Sequence, residues 1–296
     1  MKQLLILSGK GGTGKTTVAS AFIAMSHCRA FADCDVDAPN LHLVIAQLSE
    51  PVKTDFYGFA KAVIDEETCT RCGQCETHCR FEAIQSSRVD PFACEGCGVC
   101  AEICPVQAIR MVDDVSGNLM LYQDPEKVFS TAELKMGSGA SGKLVTAVKQ
   151  QLKRETADKE LAIIDGSPGI GCPVIASISG VDMVLIVAEP TISGIHDMKR
   201  IIDTTKQFGT ECAVCVNKYD LNTDNTKKIE TYCSSIGIPM IGKIPFDETV
   251  IQALNQCQSI AVYPQSPAAN AIARLWDMIR RRHLQKNIGE ETTPLE

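Results

Sequence analysis

Eight of the fifteen cysteines in this 296-residue chain fall into two runs with the same spacing, C-x2-C-x2-C-x3-C. An Ala-Ile pair follows each run at the same offset, which indicates an internal duplication. Three closely spaced thiolates can ligate three irons of a 4Fe–4S cluster, while the fourth cysteine reaches the cluster of the other run. The spacing therefore predicts two 4Fe–4S clusters, one on Cys69, Cys72, Cys75 and Cys104 and the other on Cys94, Cys97, Cys100 and Cys79.

Zinc sites and disulfides also use paired cysteines, and they are the alternatives to this interpretation. Neither requires the third and fourth cysteines at these offsets, so the spacing favours iron–sulfur clusters. Arg80 departs from the usual pattern, because proline more commonly follows the last cysteine of such a run, as Pro105 does in the second.

The segment Gly9–Thr17 carries the second chemical signal. It fits the phosphate-binding P-loop, G-x-x-x-x-G-K-[ST], and also the looser G-x-G-x-x-G of dinucleotide folds. The pair Lys15-Thr16 favours the P-loop, because the lysine binds the β- and γ-phosphates and the hydroxyl binds magnesium. An apolar strand, Leu4–Leu7, precedes the loop and a helix follows it, so backbone amides at the helix start can hold phosphate. The residues predicted to bind a nucleoside triphosphate are Gly11, Gly12, Thr13, Gly14, Lys15, Thr16 and Thr17.

Lys10 makes this motif more specific. The sequence Lys-Gly-Gly-Thr-Gly-Lys-Thr resembles the deviant Walker motif of the MinD/ParA/Mrp family, which includes the iron protein of nitrogenase. In that family the additional lysine crosses a dimer interface and contacts the nucleotide phosphates of the partner subunit. The resemblance implies an ATPase in which Lys10 and Lys15 act in catalysis. It also implies a nucleotide-dependent dimer, formed with a second copy or with a related ATPase.

The resemblance continues at the acidic positions. Ala32–Asp37 is similar to the family's first switch, where Asp35 would orient the attacking water and Asp33 would support the magnesium shell. Asp37 is open to either role. Leu161–Asp165 resembles a Walker B strand, which implies that Asp165 and the hydroxyl of Thr16 serve the magnesium ion.

Three further positions follow from the same resemblance. Asp165–Gly171 resembles the second switch of Mrp-type ATPases, in which the Gly169 amide would sense the γ-phosphate. Asn217 and Lys218 match the adenine-binding position, and Ile244–Asp247 resembles the loop on the other side of the base. The implied cofactors are ATP, Mg²⁺ and the two 4Fe–4S clusters, with ATP favoured over GTP through the family.

Apolar strands alternate with helical stretches such as 195–208, 225–236 and 249–256. This alternation predicts an α/β fold with a mostly parallel, doubly wound P-loop NTPase sheet. The cysteine runs would form a small inserted α+β domain that resembles a bacterial ferredoxin. The predicted boundaries are 1–58 for the first part of the ATPase domain, 59–112 for the insertion and 113–296 for the second part. Residues 113–135 are expected to form short strands or loop.

The remaining cysteines give weaker signals. Cys212 and Cys215 form a C-x-x-C pair, but a buried strand would point them to opposite faces, which favours a structural role. Cys172 lies at the offset from Asp165 where the nitrogenase iron protein has a ligand of its bridging cluster. That protein needs two such cysteines per subunit, and a convincing second one is missing here, so a third, interfacial cluster is the weaker alternative.

Composition and the C-terminus restrict the location of the protein. The net charge of −7 argues against broad binding to nucleic acid, and no apolar stretch approaches the roughly 20 residues that cross a bilayer. The apolar stripe Ile272, Leu275, Trp276 and Ile279 is expected to pack on the sheet, with a basic run at 280–283 and a polar tail at 289–296 after it. We expect a cytoplasmic protein without a membrane anchor.

Three functions remain open at this point. ATP-driven closure could deliver electrons to an unknown redox partner, as in the nitrogenase iron protein. The chain could instead carry or insert metal clusters, as Mrp-type proteins do, or position cellular components, as MinD and ParA do. The arrangement of eight ligands found in electron-transfer ferredoxins favours the first function.

Overall fold

The structure is a computed structural model that describes residues 1–45, 50–156 and 159–281. The strands in these residues are β1 (Lys2–Leu7), β2 (Ala30–Asp33), β3 (Val52–Tyr57), β4 (Lys61–Ile64), β5 (Ile84–Gln85), β6 (Arg88–Val89), β7 (Ile109–Val112), β8 (Val115–Gln123), β9 (Val128–Leu134), β10 (Leu161–Asp165), β11 (Met183–Ala188), β12 (Glu211–Asn217) and β13 (Met240–Ile244). The α-helices are α1 (Lys15–Ser26), α2 (Gln74–Thr77), α3 (Val99–Glu102), α4 (Ser141–Glu155), α5 (Cys172–Ile178), α6 (Ile192–Gln207), α7 (Thr223–Ser235), α8 (Glu248–Asn255) and α9 (Pro267–Ile279).

A nine-stranded sheet forms the centre of the molecule, in the order β13-β12-β11-β1-β10-β2-β9-β8-β3. The strands from β13 to β9 are parallel, with β1 paired to both β10 and β11. At the other edge, β8 and β3 are antiparallel to their neighbours. The predicted α/β fold with a mostly parallel sheet is therefore confirmed.

Helices cover both faces of this sheet because its central strands are apolar on both sides. In β1, Leu4 and Ile6 pack into the cluster that contains α1 and α9, whereas Leu5 and Leu7 pack into the cluster that contains α4 and α6. The stripe of α9 packs on the sheet as expected, and Trp276 is 5.3 Å from the ring of Phe22. In the residues that the structure describes, no helix is long and apolar enough to cross a membrane. Residues 282–296, with the end of the basic run and the polar tail, lie outside the described residues.

Residues 113–135, which follow the second cysteine run, differ from the expectation of short strands or loop. β8 and β9 have nine and seven residues and extend the main sheet. β3, which the sequence did not reveal, pairs with β8 and forms the sheet edge. Residues 58–114, which contain both cysteine runs, are called the cysteine segment below. The chain therefore enters and leaves this segment on two neighbouring antiparallel strands, β3 and β8.

The cysteine segment lies between β3 and β8 and contains two small sheets. β4 pairs with β7, and β5 forms a short hairpin with β6. Each cysteine run contains one four-residue helix, α2 or α3, and each helix follows a glycine with positive φ, Gly73 at 75° and Gly98 at 76°. The two runs thus have the same local backbone, which agrees with their identical spacing.

Candidate functional site

The P-loop connects β1 to α1 at the carboxyl ends of the parallel strands. Gly12 and Gly14 have φ values of 75° and 92°, a region that side chains with a Cβ rarely adopt. A Cβ added at Gly14 would also lie 2.3 Å from Nδ2 of Asn217. The loop conformation thus depends on glycine and on a contact from β12.

Lys15 is the first residue of α1 and is almost fully buried. Its Nζ lies 2.8 Å from Oδ1 of Asp165 and 3.9 Å from Oδ2 of Asp35. Burial alone would lower the pKa of Lys15, but the carboxylates of Asp165, Asp33 and Asp35 more than compensate and raise it. Lys15 is therefore a charged ammonium surrounded by acids, and it is available to neutralise phosphate charge.

Asp165 ends β10 and joins the P-loop to the neighbouring strand. Its second oxygen accepts a 2.6 Å hydrogen bond from the hydroxyl of Thr16. Hydroxyl and carboxylate oxygens are suitable ligands for Mg²⁺, which otherwise keeps waters and binds phosphate oxygens. The donor set at Thr16 and Asp165 therefore fits a magnesium ion that also needs the nucleotide.

The first switch follows β2. Asp33 is fully buried, and its oxygens accept backbone N–H bonds of 2.9 Å each from Asp35, Asn40 and Leu41. Burial and the charge of Asp165 raise the pKa of Asp33, while Lys15 opposes the change. These bonds give Asp33 a role in holding the switch loop, and its predicted contribution to the magnesium shell stays a prediction.

Asp35 and Asp37 line a cavity of about 670 Å³ together with the P-loop. Burial raises the pKa of Asp35, and the nearby Lys15 lowers it in part. Of these two carboxylates, Asp35 is the one within 4 Å of the lysine Nζ. This position suits the predicted role of Asp35 beside the attacking water.

The second switch follows β10 and contains Gly169 with a φ of 95°. The Gly169 amide, which the family resemblance assigns to the γ-phosphate, donates a 3.0 Å hydrogen bond to the carbonyl of Ser8. Phosphate sensing by this amide would require the bond to Ser8 to break. The two switches are also joined, because the Ser167 hydroxyl donates to the carbonyl of Cys34.

Lys10 lies at the surface of the P-loop and is held within its own chain. Its Nζ is 2.8 Å from Oε2 of Glu189 and donates to the hydroxyl of Thr191 at 3.4 Å. Lys218 binds the other oxygen of Glu189 at 2.9 Å. Burial alone would raise the pKa of Glu189, but the hydrogen bonds from Lys10 and Lys218 lower it overall.

Glu189 is a residue of the site that none of the sequence motifs includes. The one signal for it is its position directly after the apolar run of β11, where a charged residue of a parallel sheet faces the ligand edge.

Asn217 and Lys218 end β12 beside the P-loop. The side-chain amide of Asn217 donates a 2.7 Å bond to the carbonyl of Thr13. A smaller cavity of about 180 Å³ lies between these residues and the loop before α8, and it is lined in part by Phe246 and Leu254. Asp220 fixes that loop by accepting a 2.8 Å bond from the amide of Phe246. This apolar cavity, continuous with the P-loop, has the position expected for a nucleotide base, and contact of Asn217 with adenine stays a prediction.

All eight cysteines of the two runs are free thiols. Five of them pack into one small apolar cluster that also contains Ala62, Ala83 and Ile109, and the five are Cys75, Cys79, Cys94, Cys100 and Cys104.

The last cysteine of each run accepts a backbone N–H bond from the residue four positions later. The bond from Ala83 to the sulfur of Cys79 is 3.4 Å long, and the bond from Ala108 to Cys104 is 3.3 Å long. Backbone N–H bonds to ligand sulfurs are among the features that set the reduction potential of a bound iron–sulfur cluster.

In each run, burial and the first two cysteines raise the pKa of the third cysteine. Burial raises the pKa of Cys75, and the neighbouring Cys69 and Cys72 raise it further. Cys100 shows the same pattern, with burial first and then Cys94. A group that withdraws electrons, such as an iron ion, would overcome this resistance to ionisation.

The residues thus fit iron–sulfur ligation in donor type, repeated geometry and apolar surroundings. Across 1–45, 50–156 and 159–281, however, no three Cys, His, Asp or Glu side chains are arranged as a group that could hold a metal ion. The exchange of Cys79 and Cys104 between the two clusters therefore stays a prediction.

The remaining cysteines separate by burial. Cys212 and Cys215 belong to the clusters on opposite faces of the sheet, as expected for a structural pair. Burial raises the pKa of Cys34 to about 12. Cys172 is exposed at the start of α5, directly after the second switch.

Comparison with known proteins identifies the ATP-binding part. The family model for the CobQ/CobB/MinD/ParA nucleotide binding domain matches residues 4–260. The chain belongs to this family. It is a P-loop ATPase of the MinD/ParA/Mrp type, and the resemblance found in the sequence is confirmed to that extent.

Individual relatives of this ATPase differ in function. An uncharacterized protein of Methanocaldococcus jannaschii is 36% identical over 228 residues, which cover 75% of this chain and 80% of that protein. The iron-sulfur cluster carrier protein of Pyrococcus horikoshii is 22% identical over 293 residues, 92% of this chain and 83% of that protein. The septum site-determining protein MinD of Pyrococcus horikoshii, solved as a complex with Mg-ADP, has a TM-score of 0.58 and 18% identity, with 94% and 95% of the two chains covered.

Proposed function

We propose that this ATPase binds Mg-ATP at the P-loop, dimerises with nucleotide and uses residues 59–112 to hold two 4Fe–4S clusters that pass electrons to a partner protein. The observation that carries the proposal is the presence of both donor sets in one chain. Lys15, Thr16 and Asp165 converge at hydrogen-bond distance, and two cysteine runs share one local geometry. The MinD structure with Mg-ADP supports the nucleotide assignment.

At the nucleotide site, the role of each residue follows from its position. The buried Lys15 ammonium would exchange Asp165 for the phosphates, which frees the carboxylate to face the metal. Asp35, 3.9 Å from Lys15, would accept a hydrogen bond from the attacking water. These contacts act mainly as charge develops in the transition state, so Asp35 contributes more to hydrolysis than to binding.

Dimer formation is supported by the surface around Lys10. Glu189 and Thr191 hold this lysine at the rim of the P-loop, and Ile192, which follows Thr191, is 84% exposed. A second copy that approached this face would cover Ile192 and receive Lys10 at its nucleotide. Release of Lys10 from Glu189 would accompany closure.

The cysteine segment would supply one-electron transfer at low potential once its clusters are bound. The protein's part is to provide thiolates, backbone N–H bonds to sulfur and an apolar surrounding, which together set the potential. Cys72 and Cys97 are exposed, so each run presents one ligand to a partner surface.

Elemental analysis tests the clusters. Protein purified without oxygen should contain about eight irons and about eight acid-labile sulfides per chain. Cys72→Ser should lower both toward about four and leave ATP binding unchanged. Cys257→Ser, at an exposed cysteine outside the runs, should leave the iron and sulfide contents unchanged. Zinc in place of iron, or about four irons in fully reconstituted wild-type protein, would contradict the two-cluster assignment.

A carrier function is the second candidate, favoured by the iron-sulfur cluster carrier relative that covers 92% of this chain. One experiment distinguishes the two functions. The reduced protein is mixed with two ferredoxins, of which the first lacks its cluster and the second contains its cluster in the oxidised form. Electron transfer reduces the second ferredoxin and leaves iron on the chain. A carrier loses iron to the first.

A further inference from the structure

We propose that the first turn of α4 transmits the nucleotide state from the second switch to the second cysteine run, with Lys143 as the positioning residue that makes the connection. This inference deepens the proposed function, because it assigns a route of regulation to the cysteine segment. The route is built from close contacts of the first turn and the middle of α4.

The first contact joins α4 to the second switch. Gly142, in the first turn of α4, packs against Cys172 so closely that an added Cβ would lie 3.3 Å from the Cys172 Cβ. Residues seven positions apart lie on the same face of an α-helix, so Lys149 lies on the same side of α4 as Gly142. Its Nζ donates to the carbonyls of Ala176, Ser177 and Ser179, at the end of α5.

These contacts hold both ends of α5, since Cys172 begins the helix and Ser177–Ser179 end it. The hydrogen bonds of Lys149 satisfy carbonyls that a helix C-terminus leaves without partners, and its positive charge suits that end of the helix dipole. α4 and α5 therefore move as one unit. A displacement of the second switch would shift the first turn of α4.

The second contact joins the same turn to the cysteine segment. Lys143 follows Gly142, and its Nζ donates to the carbonyl of Gly58 at 3.2 Å and lies 4.2 Å from the centre of the Phe59 ring. An added Cβ at Gly58 would lie 2.8 Å from the Cβ of Ala140, the residue before α4. The entrance to the cysteine segment is thus fixed to the start of the helix.

The third contact reaches the cysteines themselves. Gly96 lies between Cys94 and Cys97, and an added Cβ there would lie 2.3 Å from the carbonyl of Ala60 and 3.0 Å from the Cβ of Phe59. Lys61 also donates from its Nζ to the carbonyl of Cys94. Phe59 therefore contacts Lys143 on one side and the second cysteine run on the other.

A reason for the second switch to move is already present at Gly169. Its amide is bonded to the carbonyl of Ser8 and must leave that bond to reach a γ-phosphate. Gly169 is three positions before Cys172, so the turn that reorients leads directly into α5. The order of contacts is then γ-phosphate, second switch, α4 first turn, Phe59 and the second cysteine run.

Hydrogen exchange of the anaerobically purified protein tests this route, with mass spectrometry of peptides from the P-loop and from residues 59–100. In the wild type, magnesium with a non-hydrolysable ATP analogue should change exchange several-fold in both regions. Lys143→Met should abolish the change in 59–100 and keep it in the P-loop. Lys143→Arg, which can still stack on Phe59 and donate to Gly58, should restore it, and Lys153→Met, an exposed lysine of the same helix, should behave as the wild type.

The P-loop response in each variant shows that the protein is folded and binds nucleotide. If Lys143→Met fails to fold, Phe59→Leu replaces it, because it removes the ring under Lys143 and leaves an apolar side chain against Gly96. A nucleotide response in residues 59–100 that survives loss of the Lys143–Phe59 contact would overturn the inference, as would a wild type without any response there. Iron is measured on the same samples. A chain without iron but with this response would contradict the proposed clusters and leave the α4 route intact.

Discussion

At the scale of single residues, the nucleotide site is a set of mutually dependent charges. Lys15 offsets three carboxylates, and Asp165 uses one oxygen for Lys15 and the other for Thr16. Both Asp165 and Asp33 are fully buried. A buried charge that loses its partner is costly, so removing one member of the set should destabilise the fold as well as weaken binding.

Lys15→Ala should therefore have two effects. ATP affinity should fall about 100-fold or more, because charge-assisted bonds to the phosphates are lost. Nucleotide-free protein should lose about 3 kcal/mol of unfolding free energy, because Asp165 is left buried without a cation. Titration calorimetry and urea unfolding measure the two effects. Adding Asp165→Ala should recover part of the stability and none of the affinity, and wild-type ATP binding in the single variant would exclude the P-loop role of Lys15.

Lys10 and Glu189 should show opposite effects on dimer formation. Lys10→Ala should give a folded monomer that stays monomeric with ATP, because it removes the cation that reaches the partner's nucleotide. Glu189→Gln weakens the bond that holds Lys10 in its own chain, so dimers should form at lower ATP concentration. Sedimentation velocity with ATP and with ADP distinguishes the outcomes. A Lys10→Ala variant that dimerises normally would show that the family role of this lysine does not apply here.

At the scale of elements, the sequence predicted the elements that carry local motifs and did not predict how the strands pair at the edge of the sheet. The P-loop between β1 and α1, the strand β10 and the helices α6, α7 and α8 were predicted because each leaves a continuous signal of spacing or periodicity. The pairing of β3 with β8 was not found, since the cysteine segment separates the two strands in sequence. Glu189 was missed for a related reason, because it approaches Lys10 only when β11 pairs with β1.

The P-loop conformation gives a graded test with three glycines. Gly11 has an ordinary φ and open space at its Cβ, Gly12 has a φ of 75° with open space, and Gly14 combines a φ of 92° with Asn217 Nδ2 at 2.3 Å. Alanine should cost nucleotide-free protein less than about 0.5 kcal/mol at Gly11, about 1 kcal/mol at Gly12 and about 2 kcal/mol or more at Gly14. Urea unfolding gives the order, and equal losses at Gly11 and Gly14 would contradict this loop geometry.

At the scale of the whole molecule, the nucleotide site and the cysteine segment depend on the main sheet to different extents. The nucleotide site is made by the carboxyl ends of β1, β2, β10 and β11, so it depends on strands that are distant in sequence. The cysteine segment depends on local contacts of its own runs and on its attachment at Phe59 and Lys61. Loss of the cysteines should therefore leave the ATP site intact.

The attachment on β3 and β8 has a consequence for how such a chain can be shortened or rebuilt. Tyr57 is paired with Val115, so the main sheet already brings together the two ends of the excursion. A tight two-residue turn such as Asn-Gly could replace residues 58–114 as an ordinary hairpin closure. The shortened chain should fold and bind ATP, which circular dichroism and calorimetry would measure, and aggregation of the shortened chain would contradict this expectation. A hairpin end that accommodates so long an insertion is also a place where a different small domain could be grafted onto the same ATPase.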